Sequence, residues 1–154
     1  MLQPGDPAPE FSLSDQDGRP FSLADARGKV LVLYFYPKAD TPGCTTEACS
    51  FGESMPRFDA SNALIVGVSP DTVKAQKKFA EKFSLRFRLL ADADHTVSEL
   101  YGVWAEKRMY GRTYMGVERT TFVIAADGTI ARIFPKVSVT GHAEAVLAAV
   151  NEVA

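Results

Sequence analysis

The chain has 154 residues, 46% hydrophobic and 23% charged, which suits one domain with a substantial buried core. Seventeen basic residues against 19 acidic ones leave a formal charge of -2, with no basic stripe and no run of like charges, which excludes a dedicated nucleic-acid binder. The longest apolar stretch, Val30–Tyr36, is far too short to span a bilayer, and the proline-rich start MLQPGDPAPEF lacks the apolar centre of a secretory signal.

The first predicted element is a hairpin. Phe11–Leu23 holds two short alternating pieces around Asp17-Gly18, a strong turn signal. Lys29–Tyr36 (KVLVLYFY) is a nearly continuous β-branched and aromatic run, expected as a central strand buried on both faces. Pro37 ends it. A helix is expected from Thr41 to Ala60, with Thr41 as cap, Pro42 in its first position and a kink or break at Met55-Pro56.

Ala63–Val68 is a second strand. Ser69-Pro70-Asp71 is expected to open the next helix, with Val73, Phe79 and Phe83 on its buried side. Arg88–Ala91 is a short strand and His95–Tyr101 a short helix. Thr120–Ala125 and Thr129–Phe134 flank Ala126-Asp127-Gly128 as a hairpin. The last helix, Thr140–Val153, turns Val146, Leu147 and Val150 inward. Early strand–helix alternation implies right-handed parallel crossovers, and the final hairpin adds an antiparallel pair. The expected class is therefore α/β: a mixed central sheet flanked by helices on both faces, with an N-terminal β-hairpin extension, in one domain over residues 1–154.

The chain's two cysteines stand together in T-P-G-C-T-T-E-A-C, residues 41–49. With the cytoplasm as the expected location, thiols are held reduced and a static disulfide is disfavoured. Cys44 follows a strand and starts a helix. The carboxyl ends of strands are where ligand sites form in open α/β sheets, and a helix N-terminus offers unpaired N–H groups and a positive dipole end that favour a thiolate.

Cys49 lies five residues further on. Along an intact helix that is about 7.5 Å of rise and about 500° of rotation, so the two Cα atoms stand roughly 8–9 Å apart. A disulfide tolerates only about 7 Å. A Cys44–Cys49 bond therefore requires the first turns to unwind, which would make the pair a switch. Both residues could instead be small core hydrophobes, or report oxidation to a partner without turning over any substrate. A metal site is disfavoured, because His95 and His142 lie far off without ligand-like spacing. Each histidine opens a helix and is expected at the surface.

Tyr34–Cys49 reads Y-F-Y-P-K-A-D-T-P-G-C-T-T-E-A-C, with the pattern P-x-x-x-T-x-x-C at Pro37, Thr41 and Cys44. With GVSPD at 67–71, YGVWAEKRMYGRTYMG at 101–116 and RTTFVI at 119–124, the chain resembles a peroxiredoxin of the bacterioferritin comigratory protein, or peroxiredoxin Q, subfamily along nearly its whole length.

The resemblance implies a thioredoxin-like fold and a thiol peroxidase that reduces hydrogen peroxide and organic hydroperoxides with no metal, haem or flavin cofactor. It implies that Cys44 is the peroxidatic cysteine and Cys49 the resolving one. Thr41 would hydrogen-bond the thiolate and the peroxide. Pro37 would shield the site from water. Arg119 would hold the thiolate and polarise the substrate, with Glu47 as a candidate to orient it. The expected partner is thioredoxin or a similar dithiol. No nucleic acid or membrane is expected, and the chain is expected to be a monomer. Glu118 is expected to point to the other face of its strand. Met109, Tyr110, Tyr114 and Met115 form an apolar loop that could line the peroxide pocket, contact a partner or cover the core, with core cover the favoured reading.

Overall fold

A computed structural model describes residues 1–153. Its first element is the expected hairpin: β1 (Ser12–Ser14) and β2 (Pro20–Ser22) pair antiparallel. The Asp15 carboxylate closes the loop between them by accepting from the backbone N–H groups of Asp17 and Arg19. A single 3-10 turn, Leu23–Ala26, leads to β3 (Val30–Phe35), in which every residue is buried.

Helix α1 (Pro42–Ala60) follows, then β4 (Ala63–Ser69), α2 (Val73–Lys82), β5 (Arg88–Ala91) and α3 (Thr96–Leu100). Strands β6 (Trp104–Met109) and β7 (Arg112–Val117) form a hairpin, β8 (Thr120–Ile124) and β9 (Ile130–Phe134) another, and α4 (His142–Val153) ends the described chain.

Seven strands form one sheet in the order β2-β1-β5-β4-β3-β8-β9. Strands β3, β4 and β5 are parallel, β8 pairs antiparallel with β3 and β9 antiparallel with β8, so the sheet is mixed as expected. Successive β3 side chains alternate between two cores. Val30, Val32, Tyr34 and Tyr36 pack under α1, α2 and α4. Leu31, Leu33 and Phe35 pack under the N-terminal segment and α3. Burial on both faces is why this strand reads as an unbroken apolar run rather than an alternating one.

Several local expectations need correction. Ser69 does not cap α2; it ends β4, and the Thr72 hydroxyl caps the helix by accepting from the Ala75 N–H at 3.1 Å. Pro56 does not end α1, because Phe51 and Phe58, both fully buried, anchor the helix on either side of it. Thr41 stands at the N-cap, but its hydroxyl donates to the Lys38 carbonyl at 2.7 Å instead of capping.

Met109, Tyr110, Tyr114 and Met115, favoured as core cover, lie instead in a separate two-stranded hairpin, β6 with β7, and all four are exposed. Tyr110 and Gly111 have φ of 52° and 76°, the left-handed pair that a tight two-residue hairpin turn demands.

Candidate functional site

Helix α1 starts beyond the carboxyl end of β3, and β8 runs antiparallel beside β3 with Phe35 opposite Thr120. That register delivers Arg119, the residue before β8, to the first turn of α1. Its guanidinium Nη2 lies 3.3 Å from the Cys44 Sγ, and Nη1 donates to Glu47 Oε1 at 2.6 Å. Gly43 makes room for this approach: a Cβ there would stand 3.2 Å from Nη2. Cys44 is 1% exposed, and both cysteines are free thiols.

The Arg119–Glu47 pair is enclosed, with side chains 16% and 1% exposed. Burial pushes the Glu47 carboxyl up to about 7 despite the opposing charge and hydrogen bond of Arg119. Burial acts on Arg119 in the opposite sense, but Glu47 and Cys44 together outweigh it and raise its value. The two ends differ because Glu47 is the more deeply enclosed and has one oxygen with no partner. Glu47 Oε2 and the Tyr34 hydroxyl are the two buried side-chain polar atoms left without a hydrogen bond among the described residues.

His142 was expected at the surface and is instead 6% exposed beneath this pair. Its Nε2 lies 2.8 Å from the Thr121 hydroxyl and 3.9 Å from Glu47 Oε2. Burial, then the charge of Arg119, lowers it to about 4, so the ring is neutral. A sequence signal for its position existed: His142, Val146 and Val150 recur every four residues on the inward stripe of α4. His95 matches the expectation, half-open to solvent, paired with Glu99 at 3.0 Å and stacked on Trp104.

The other expected residues lie around this centre without converging on it. Pro37 is half-buried in the turn leaving β3. Thr41 stands at the helix start with its hydroxyl turned to Lys38. Cys49 lies within the same unbroken helix and faces away, into a groove of about 420 Å³ lined in part by Glu53, Met55 and Phe83. Burial and the neighbouring Glu53 charge raise its thiol above the ordinary range. Glu118 does project to the far side of the sheet, beside Tyr101 and Phe122. Lys107 of β6 was not singled out from sequence. Its amine is lowered by burial and then by the charge of Arg119.

The buried acid and imidazole make opposite contributions to stability. Glu47, raised from 4.5 to about 7, favours the fold fully below its unfolded value, and that contribution is lost as pH rises through about 7. His142, depressed from 6.5 to about 4, makes the fold lose stability as pH falls through that interval. The two slopes offset each other across the overlap. Glu47→Gln removes one of them, so the melting temperature of the variant should fall between pH 6.5 and 4.5 more steeply than that of the parent. The difference between the two thermal-melt profiles isolates Glu47, and identical profiles would rule out a buried ionising acid.

Comparison with known proteins places the chain. Residues 4–133 match the AhpC/TSA family. Peroxiredoxin Bcp of Escherichia coli is 44% identical over 146 residues, covering 95% of this chain and 94% of that protein. The bacterioferritin comigratory protein of Xanthomonas campestris, whose structures were solved to account for its alkyl peroxide reduction activity, superposes with a TM-score of 0.88. It is 42% identical, with 92% of this chain and 90% of that one covered. Peroxidoxin BcpB of Mycobacterium tuberculosis superposes at 0.89 with 38% identity, over 100% of this chain and 99% of that one. A family match over residues 4–133 and relatives 38–44% identical along nearly the whole chain make this chain a member of the AhpC/TSA family, in the group of peroxiredoxin Bcp and peroxiredoxin Q.

Proposed function

We propose that this chain reduces hydrogen peroxide and organic hydroperoxides at Cys44, resolves the product with Cys49 and is recycled by thioredoxin. The observation that carries the assignment is the Arg119 guanidinium 3.3 Å from the Cys44 Sγ at the start of a helix. The arginine and the helix N-terminus bring a cation and N–H donors to the sulfur, where the reaction develops negative charge.

The thiolate attacks the terminal peroxide oxygen. The O–O bond breaks, the sulfur gains an oxygen as sulfenic acid, and the leaving alkoxide or hydroxide takes a proton. Negative charge develops on the departing oxygen, where Arg119, the Thr41 hydroxyl and the N–H groups at the start of α1 are the available donors. To serve there Thr41 must give up its hydrogen bond to the Lys38 carbonyl. Pro37 keeps water from the pocket. The Cys49 thiol then displaces the sulfenic oxygen as water, forming the Cys44–Cys49 disulfide, and a dithiol reductant restores both thiols by exchange.

Resolution requires α1 to open, since a continuous helix holds the cysteines too far apart. Glu47 lies within the segment that must open. Its carboxylate is an unfavourable buried ion at neutral pH, so exposing it offsets part of the helix lost. We assign the chain to the cytoplasm as a monomer.

The test is intact mass with thiol counting after one equivalent of hydrogen peroxide on reduced protein. Loss of both thiols, a mass lower by their two hydrogens and no covalent dimer is the expected result. An added oxygen with Cys49 still free would leave a one-cysteine peroxidase. No rapid change would overturn the assignment.

A further inference from the structure

Among the described residues, six large hydrophobic side chains are exposed, and four of them, Met109, Tyr110, Tyr114 and Met115, lie in the β6–β7 hairpin. The hairpin is a separate sheet with no ladder to the seven-stranded one. Met109 is 55% exposed and Tyr110 97%. The strand register places Lys107, Met109, Arg112 and Tyr114 on one face and Glu106, Arg108, Thr113 and Met115 on the other. Apolar and basic side chains are therefore interleaved on both faces of one projecting element.

The charges are equally local. The hairpin carries Lys107, Arg108 and Arg112 against Glu106, a net +2, on a chain whose total is -2. A folded partner would cover one face of such a tip and leave the other apolar face wet. A lipid headgroup layer surrounds an inserted element on all sides. There tyrosine sits at the interface, methionine enters the acyl boundary, and lysine and arginine extend to the phosphates.

We propose that the β6–β7 hairpin seats this protein on an anionic lipid surface. Its root adjoins the site: Val117 ends β7 only two residues before Arg119. On the peroxidase reading of Cys44, on which this consequence rests, docking places the site beside hydroperoxides formed on lipid acyl chains. The lack of a spanning helix does not bear on a protein that lies on a membrane rather than across it.

The experiment is co-sedimentation of the reduced protein with vesicles of phosphatidylcholine alone and of phosphatidylcholine mixed with phosphatidylglycerol, at low and high salt. The expected result is about tenfold stronger binding to the mixed vesicles, abolished by salt. Two variants, Met109→Ser with Tyr110→Ser and Arg108→Ser with Arg112→Ser, should each lose most of that binding. Both should keep hydrogen peroxide turnover, which shows that they fold.

Equal binding to the two vesicle types, or full binding by the variants, would overturn the proposal. So would a raised KM for the dithiol reductant in variants of a parent that ignores vesicles, which would give the hairpin to a protein partner. A parent dimer that the variants dissolve would give it to a second copy. Failure of hydrogen peroxide turnover in the parent would sink the peroxidase reading and leave the vesicle result standing.

Discussion

Cys44→Ser should lower peroxide consumption by at least about a thousandfold, to the level of the uncatalysed reaction. Serine keeps the size of the side chain but loses the ionisable, polarisable sulfur. Its hydroxyl stays protonated near neutral pH, and neither Arg119 nor the helix dipole can change that enough to matter. The fold should be nearly unaffected, because the replacement is close to isosteric at a site already served by the Arg119 donor 3.3 Å away. Stopped-flow peroxide consumption with a dithiol reductant measures the rate, and a thermal melt checks the fold. Turnover within about tenfold of the parent would move the chemistry to Cys49.

Arg119→Ala should slow the oxidation of Cys44 by about a hundredfold to a thousandfold, the range seen when one donor to a developing anion is removed. It also strips Glu47 of its partner. That carboxylate is 1% exposed, so the loss should destabilise the fold by about 3 kcal/mol at pH 8, and less at pH 5, where the acid holds its proton. Arg119→Lys should recover only part of the rate, because an ammonium lacks the fork that reaches Sγ and Oε1 together.

The double variant Arg119→Ala with Glu47→Gln separates the two roles. It should recover stability without recovering rate. Rapid-reaction oxidation kinetics and chemical denaturation at both pH values provide the readouts. An unchanged oxidation rate in Arg119→Ala would make the arginine a structural partner of Glu47 and nothing more.

Local chemistry in the sequence marked out much of this. Val30–Phe35 could only be a strand buried on both faces, because its apolar residues do not alternate. Asp17-Gly18 and Asp127-Gly128 announced their turns through residues that tolerate positive φ. Thr41-Pro42 announced the start of α1, and the spacing of Cys44 and Cys49 on one helix already implied that a bond between them would need unwinding. Arg119 was a candidate only through the family pattern, since nothing local distinguishes it from an exposed arginine before a strand.

Other features were visible in principle and misread. Ser69 and Thr72 are both competent caps, and the choice between them was made by β4, which extends one residue further and claims Ser69. Tyr110-Gly111 is a hairpin turn, but its apolar neighbours resemble core-facing segments, and local pattern does not say whether a strand pair meets the core or leaves it.

The sequence by itself determined the strands of the main sheet, the start of α1 and the placing of two thiols on one helix, because these depend on side chains within a few residues of one another. Only the tertiary structure decided what surrounds Cys44. Arg119 is 75 residues away, and His142 lies further still, on the last helix. Their meeting is set by the β3–β8 register and by the packing of α1 against α4, contacts between segments that share no local signal. The charge state of Glu47 follows from the same enclosure: a carboxyl that would ionise freely on an exposed helix is raised to about 7 because three separate elements close over it.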